Sequence, residues 1–144
     1  MDRSRDRLDV ESPAEAHAAL AGLAIEREHA LAAYRPIGAH RIHELSEGIG
    51  RAIEACRNDA LPGLIIDLRG LAPLPRATSV DRFLMVEEWA GHAHGRVAVA
   101  FVVVEPVVAP PSFVRKAAVE FGLRAEMFGN EREARAWLEG LRSP

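Results

Sequence analysis

Apolar and polar positions alternate along this chain with two distinct periods. Ile42, Leu45, Ile49, Ala52, Ile53 and Cys56 recur at spacings of three and four, which places one apolar stripe on a helix of about four turns. His43, Glu44, Glu47, Arg51 and Glu54 fall on the opposite face. Asn58-Asp59 ends that helix, and Leu61-Pro62-Gly63 leads into Leu64-Ile65-Ile66-Asp67-Leu68, a short apolar run that reads as a buried strand closed by Arg69-Gly70. Arg96 to Val104 is the strongest strand signal: it is apolar on both alternations, so both sheet faces are expected to be covered there.

The remaining elements follow from turn and cap signals. Ser12-Pro13-Ala14-Glu15 starts a helix with an apolar stripe of Leu20, Leu23 and Ala24. Two readings of its end stand open. Gly22 and the charged cluster Glu26-Arg27-Glu28-His29 stop it, leaving Ala30 to Tyr34 as a strand before Pro36, or one helix runs from Pro13 to Ala33. The break is favoured. Pro73 and Pro75 make residues 71–79 a loop, after which Thr78 or Ser79 caps a helix from Val80 to about Ala90. Its buried side is expected to be Phe83, Val86 and Ala90, with Leu84 and Trp89 beside them, and Gly91 with the His-Ala-His-Gly stretch at 92–95 ends it. Pro110-Pro111-Ser112 sets up a helix from Phe113 to about Phe121 on Val114, Ala117, Ala118 and Phe121. Arg124 to Phe128 is a short strand, and Asn130-Glu131-Arg132-Glu133 caps a last helix with Ala134, Trp137, Leu138 and Leu141 on its stripe.

Helices and strands thus alternate, which predicts an α/β fold: one mainly parallel sheet of about four strands covered by helices. The strand before Pro36 could lie antiparallel at one edge. With 144 residues and no repeat or linker, residues 12–144 are expected to form one domain behind a flexible stretch at 1–11.

Composition mainly excludes. Hydrophobic residues at 49% and a net charge of -3 are inconsistent with a disordered chain. The longest apolar run, Val97 to Val104, is eight residues, far short of the ~20 needed for a membrane span. A pI of 6.1 with scattered arginines and 6% aromatics gives no nucleic-acid footprint. The single cysteine, Cys56, excludes an internal disulfide. The first residues lack an apolar signal region, so a cytoplasmic protein is expected.

A strand ending Asp67-Leu68-Arg69-Gly70 resembles the strand-loop element of STAS-like domains, the anti-sigma-factor antagonist family. The loop and helix that follow, the very apolar next strand, and the tail Met127-Phe128-Gly129-Asn130-Glu131 with Ala134 and Ala136-Trp137-Leu138 are similar to small bacterial STAS-like proteins. The similarity runs from about Ala30 to Leu141. It implies a non-enzymatic switch or interaction module whose partner is a kinase or an anti-sigma factor, with a serine or threonine beyond that strand as phospho-acceptor. In this chain Thr78 or Ser79 could stand at that hydroxyl, although no Asp precedes them and no Gly follows.

The residues themselves suggest the same loop. Thr78, Ser79 and Arg76 lie past the carboxyl end of a buried parallel strand and at a helix start, where free N–H groups favour an anion. The plain alternative is that Thr78 and Ser79 are caps. His40, His43, Glu44 and Glu47 sit at helical spacing without a zinc-type motif and read as a solvated face, and His92 and His94 read as a helix-ending loop. Cys56 reads as a small buried hydrophobe, and Asp67 as a carboxylate that caps or pairs with Arg69. No Gly-x-Gly-x-x-Gly, Walker or Gly-x-Ser-x-Gly motif occurs, so neither cofactor nor metal is expected and catalysis is not. Asp67, Arg69, Val107 and Val108 are candidates for an interaction surface, the last two in the apolar segment Pro106 to Pro111, which reads equally as an exposed contact patch or a buried crossover. The readings carried forward are a protein-interaction module, a small-ligand or lipid-binding domain or minor enzyme with a pocket between loops 71–79 and 105–112, and self-association through Val107-Val108.

Overall fold

The computed structural model describes residues 25–73, 75–104 and 111–142. The stretch 1–24, including the expected helix from Pro13 and the flexible start, lies outside them, as do Val107 and Val108. The chain is α/β. Its one sheet has five strands in the order β1 (Ile25–Glu28), β2 (Leu31–Tyr34), β3 (Gly63–Asp67), β4 (Ala98–Val102) and β5 (Ala125–Phe128). Strand β1 pairs antiparallel with β2, and the other pairs are parallel. The helices are α1 (Ile42–Asn58), α2 (Ser79–Ala93), α3 (Pro111–Phe121) and α4 (Glu131–Arg142).

Two expectations need correction at the first strands. Ala30 to Tyr34 is not the edge: Leu31–Tyr34 is an inner, parallel strand. The antiparallel edge is Ile25–Glu28, where a helix-ending charged cluster was expected. His29, at φ 61, turns the chain between the two strands. An edge strand needs only one covered face and tolerates charge, so Glu26, Arg27 and Glu28 hide it from a pattern search.

The strand order follows the chain order without reversal, and side chains of all three crossover helices share one core, so the parallel crossovers have a common sense. Right-handed crossovers in one direction put α1, α2 and α3 on a single face. Their side chains join Ala32, Tyr34, Leu64, Ile66, Val99 and Phe101 in one core. The opposite face presents Leu31, Ala33, Ile65, Ala98, Ala100 and Val102, and α4 covers it with Ala134, Leu138 and Trp137. Every residue of β3 and β4 is buried, as expected for strands covered on both sides.

Small residues set how closely α4 approaches. A Cβ on Gly63 would lie 2.6 Å from Leu31 Cδ2 and 3.3 Å from Leu138 Cδ2. Gly63→Ala is therefore expected to lower stability by about 1–3 kcal/mol, as overpacking does. Urea unfolding checks this, and a loss under about 0.5 kcal/mol would mean that the Leu31 and Leu138 methyls move aside freely.

Helix α2 starts at one of its two expected caps and differs from its expected form at the far end. Thr78 caps it and it continues through Gly91 to Ala93, so His92 is helical and His94, at φ 50, is its cap. Arg57 of α1 supports that end by donating to the His92 carbonyl at 3.0 Å. Its buried residues are Val86, Trp89 and Ala93, whereas Phe83 and Leu84 are exposed. Phe83 instead meets Phe121 of α3 edge-on, with ring centroids 4.8 Å apart. Leu141 is also exposed, because the α4 stripe leaves the sheet after Leu138.

Candidate functional site

The parallel strands end together at one edge, and two constellations meet it from opposite faces. On the α4 face lies a charge network. Arg35 follows β2, and its Nε and Nη2 donate to the two Glu131 carboxylate oxygens at 2.8 and 2.7 Å, a fork-to-fork pair. The same Nη2 donates to Glu28 at 3.0 Å, and Glu28 also accepts from Arg135. Arg69 donates from its backbone N and its Nε to Asp67 Oδ1 at 3.0 and 2.9 Å, and from Nη2 to Oδ2 at 2.7 Å. Arg69 Nη2 lies 3.8 Å from Glu131, which links the two halves. Three carboxylates and three guanidiniums thus pin the first two turns of α4 to β1, β2 and β3.

Their ionisation follows from this geometry. Burial pushes the Asp67 carboxyl upward, but the Arg69 hydrogen bonds outweigh it and hold the group well below the ordinary carboxylate range. Glu28 is lowered likewise: burial opposes, and the bonds from Arg135 and Arg35 prevail. Arg35 is raised, chiefly by its bond to Glu131. A carboxylate held ionised this firmly is a poor proton donor or acceptor near neutral pH. Asp67 and Arg69 are therefore a strand-end clasp, which agrees with the pairing expected from their sequence spacing.

On the other face a cavity of about 100 Å³ lies between α1, α2 and the ends of β3 and β4. Leu45, Ile49, Val86, Trp89 and Phe101 wall it, and Pro75 and Ala77 of the 71–79 loop reach its rim. Trp89 turns its polar atom away, donating from Nε1 to the Ser46 carbonyl at 3.1 Å. Arg82 also lines the cavity, and its Nε is buried without a hydrogen-bond partner among the described residues.

The loop residues are placed as follows. Thr78 Oγ1 accepts from Asp81 N at 3.0 Å, and the Asp81 carboxylate accepts from Thr78 N at 3.1 Å. This reciprocal box uses the N–H group an anion would need and sets a carboxylate beside it. Ser79 and Arg76 are exposed. Thr78, Ser79 and Arg76 thus share one edge with Asp67 and Arg69. His43, Glu44 and Glu47 are exposed, as a solvated helix face requires. Among the described residues, no three His, Cys, Asp or Glu side chains gather as a metal site would need. Cys56 is buried in the core, and desolvation pushes its thiol up to about 12.

The expected pocket shares only its 71–79 side with this cavity, its 105–110 side lying outside the described residues, and the remaining walls are ordinary core positions that carry no signal in the sequence. Arg82 is the exception. The inward stripe of α2 reads Val86, Trp89, Ala93, and one turn before Val86 it places Arg82 where the period asks for an apolar residue.

Comparison of the chain with family models, with curated proteins and with solved structures gives no match. Among the described residues, no helix is long and apolar enough to cross a membrane.

Proposed function

We propose that the chain is a non-enzymatic interaction module that works through the carboxyl edge of its sheet, in the manner of the STAS-like anti-sigma-factor antagonists its sequence resembles. One observation carries this reading: large aliphatic side chains stand exposed at that edge. Ile37 is 75% exposed, Val80 67%, Leu84 55% and Val104 70%. Single exposed apolar residues are ordinary, but these come from the segment after β2, the first turns of α2 and the end of β4, which meet at one end of the fold. Support also comes from what is unavailable for catalysis. Asp67 is clasped by Arg69, and Cys56 is buried with a raised pKa.

A phospho-switch on Thr78 or Ser79 has a physical route. Both residues are exposed beside Val80. A phosphate on Thr78 would face the Asp81 carboxylate, disrupt the cap and reorient the first turn that presents Val80 and Leu84. The partner in this reading is a kinase or anti-sigma factor in the cytoplasm.

The test places a photo-crosslinking side chain at Val80 and, as a control, at Val119, which is 82% exposed on α3. Irradiation in cells is expected to give a discrete protein adduct from position 80 and none from 119. No adduct at 80, or the same adduct from both positions, would overturn the assignment of this edge.

A further inference from the structure

We propose that the cavity under α1 and α2 binds a small branched or cyclic carboxylic acid, whose hydrocarbon part fills the cavity and whose carboxylate accepts from Arg82. The first support is position. Arg82 occupies the inward stripe of α2 one turn before Val86, and it lines the cavity with Leu45, Ile49 and Phe101. Arg82 is half-buried, and the part of its guanidinium turned inward is the part that demands a partner.

The second support is the missing partner. Arg82 Nε is buried and makes no hydrogen bond among the described residues. Buried donors in folded proteins are nearly always paired, so an orphan needs an acceptor supplied from elsewhere. The nearest acid in sequence, Asp81, is committed to the Thr78 backbone. An anionic oxygen on a ligand satisfies the guanidinium in both charge and geometry.

The third support is the rest of the wall. Beyond Arg82 it is almost wholly carbon, and the Trp89 N–H is already bonded to the Ser46 carbonyl. Apolar cavities of this kind take hydrocarbon in preference to water. A volume near 100 Å³ is smaller than the roughly 150 Å³ that accepts the six carbons of benzene, which limits the hydrocarbon part to about four or five carbons. This inference stands apart from the partner-binding reading, because it is read on the isolated chain.

The experiment titrates the full chain with 3-methylbutanoate and cyclopentanecarboxylate, and with 3-methylbutan-1-ol as the uncharged probe. The Trp89 indole N–H resonance, assigned with the W137F variant, reports binding. Saturable shifts are expected with the acids, and weaker binding with the alcohol. Arg82→Met should weaken the acids by about tenfold or more while leaving the alcohol unchanged. Ala77→Leu, which fills the cavity from its rim, should abolish both. No saturable shift up to about 50 mM acid would mean that water alone meets Arg82 Nε, and the proposal falls. Undiminished acid binding by Arg82→Met would overturn it as well.

Discussion

Replacing Ile65 by alanine is expected to lower the unfolding free energy by about 3–5 kcal/mol. Ile65 is fully buried on β3, on the face that α4 covers. Its sheet neighbours there include Ala33 and Ala100, which pair with or flank it in register. Alanines have no side chain that can lean into a void, so the space left by the missing atoms stays open. Ile65→Val removes one methylene and should cost only about 1 kcal/mol. Urea denaturation with an unchanged slope checks both. A loss below about 2 kcal/mol for the alanine variant would mean that α4 settles inward and closes the gap.

The second large effect concerns the clasp at the end of β3. Asp67→Asn is expected to cost about 1–3 kcal/mol at neutral pH, a range reduced because Arg69 is 40% exposed and water screens the pair. The pH dependence has a definite sign. The folded-state pKa of Asp67 is depressed, so its contribution is present in full above the unfolded value near ~3.9 and is lost as pH falls through the folded value. Glu28 is lowered too and acts in the same direction. Wild type should therefore lose stability below about pH 4, and its advantage over the variant should shrink there. Unfolding midpoints at a series of pH values measure this. A gap that stays constant into strong acid would show that the charge of Asp67 is not its source.

The sheet and its helices were largely legible in the sequence, because buried strands and amphipathic helices carry their own period. Leu64 to Ile66 and Val97 to Val102 had no other reading, and the stripe from Leu45 to Cys56 is buried as its spacing demanded. Strand β1 was not legible, since Ile25 is the buried residue among its described side chains and the rest of this edge strand leaves a charged signature. Phe83 and Leu84 are apolar yet exposed, because hydrophobicity does not by itself imply burial and α2 turns Val86, Trp89 and Ala93 inward.

The site divides along the same line. Asp67 and Arg69 are two positions apart, and their pairing is a local matter that sequence can suggest. Arg35 and Glu131 are 96 positions apart, and nothing in either neighbourhood points to the other. Thr78 could be named as a cap from its type and place, and it is one. The cavity needed three-dimensional packing, since only the misplaced charge of Arg82 marks it in one dimension.

The one-way winding also sets the order in which the molecule can be assembled. Strands β2 to β5 add as chain neighbours, each with its own helix, so that side grows by short-range steps. The other side has no such route. Docking α4 closes a loop from Arg35 to Glu131, and long loops carry the higher entropic penalty. The alanine-rich side of the sheet is thus covered by the one helix that follows the last strand, and the six-member ion lattice ties that helix to a residue 96 positions earlier in the chain.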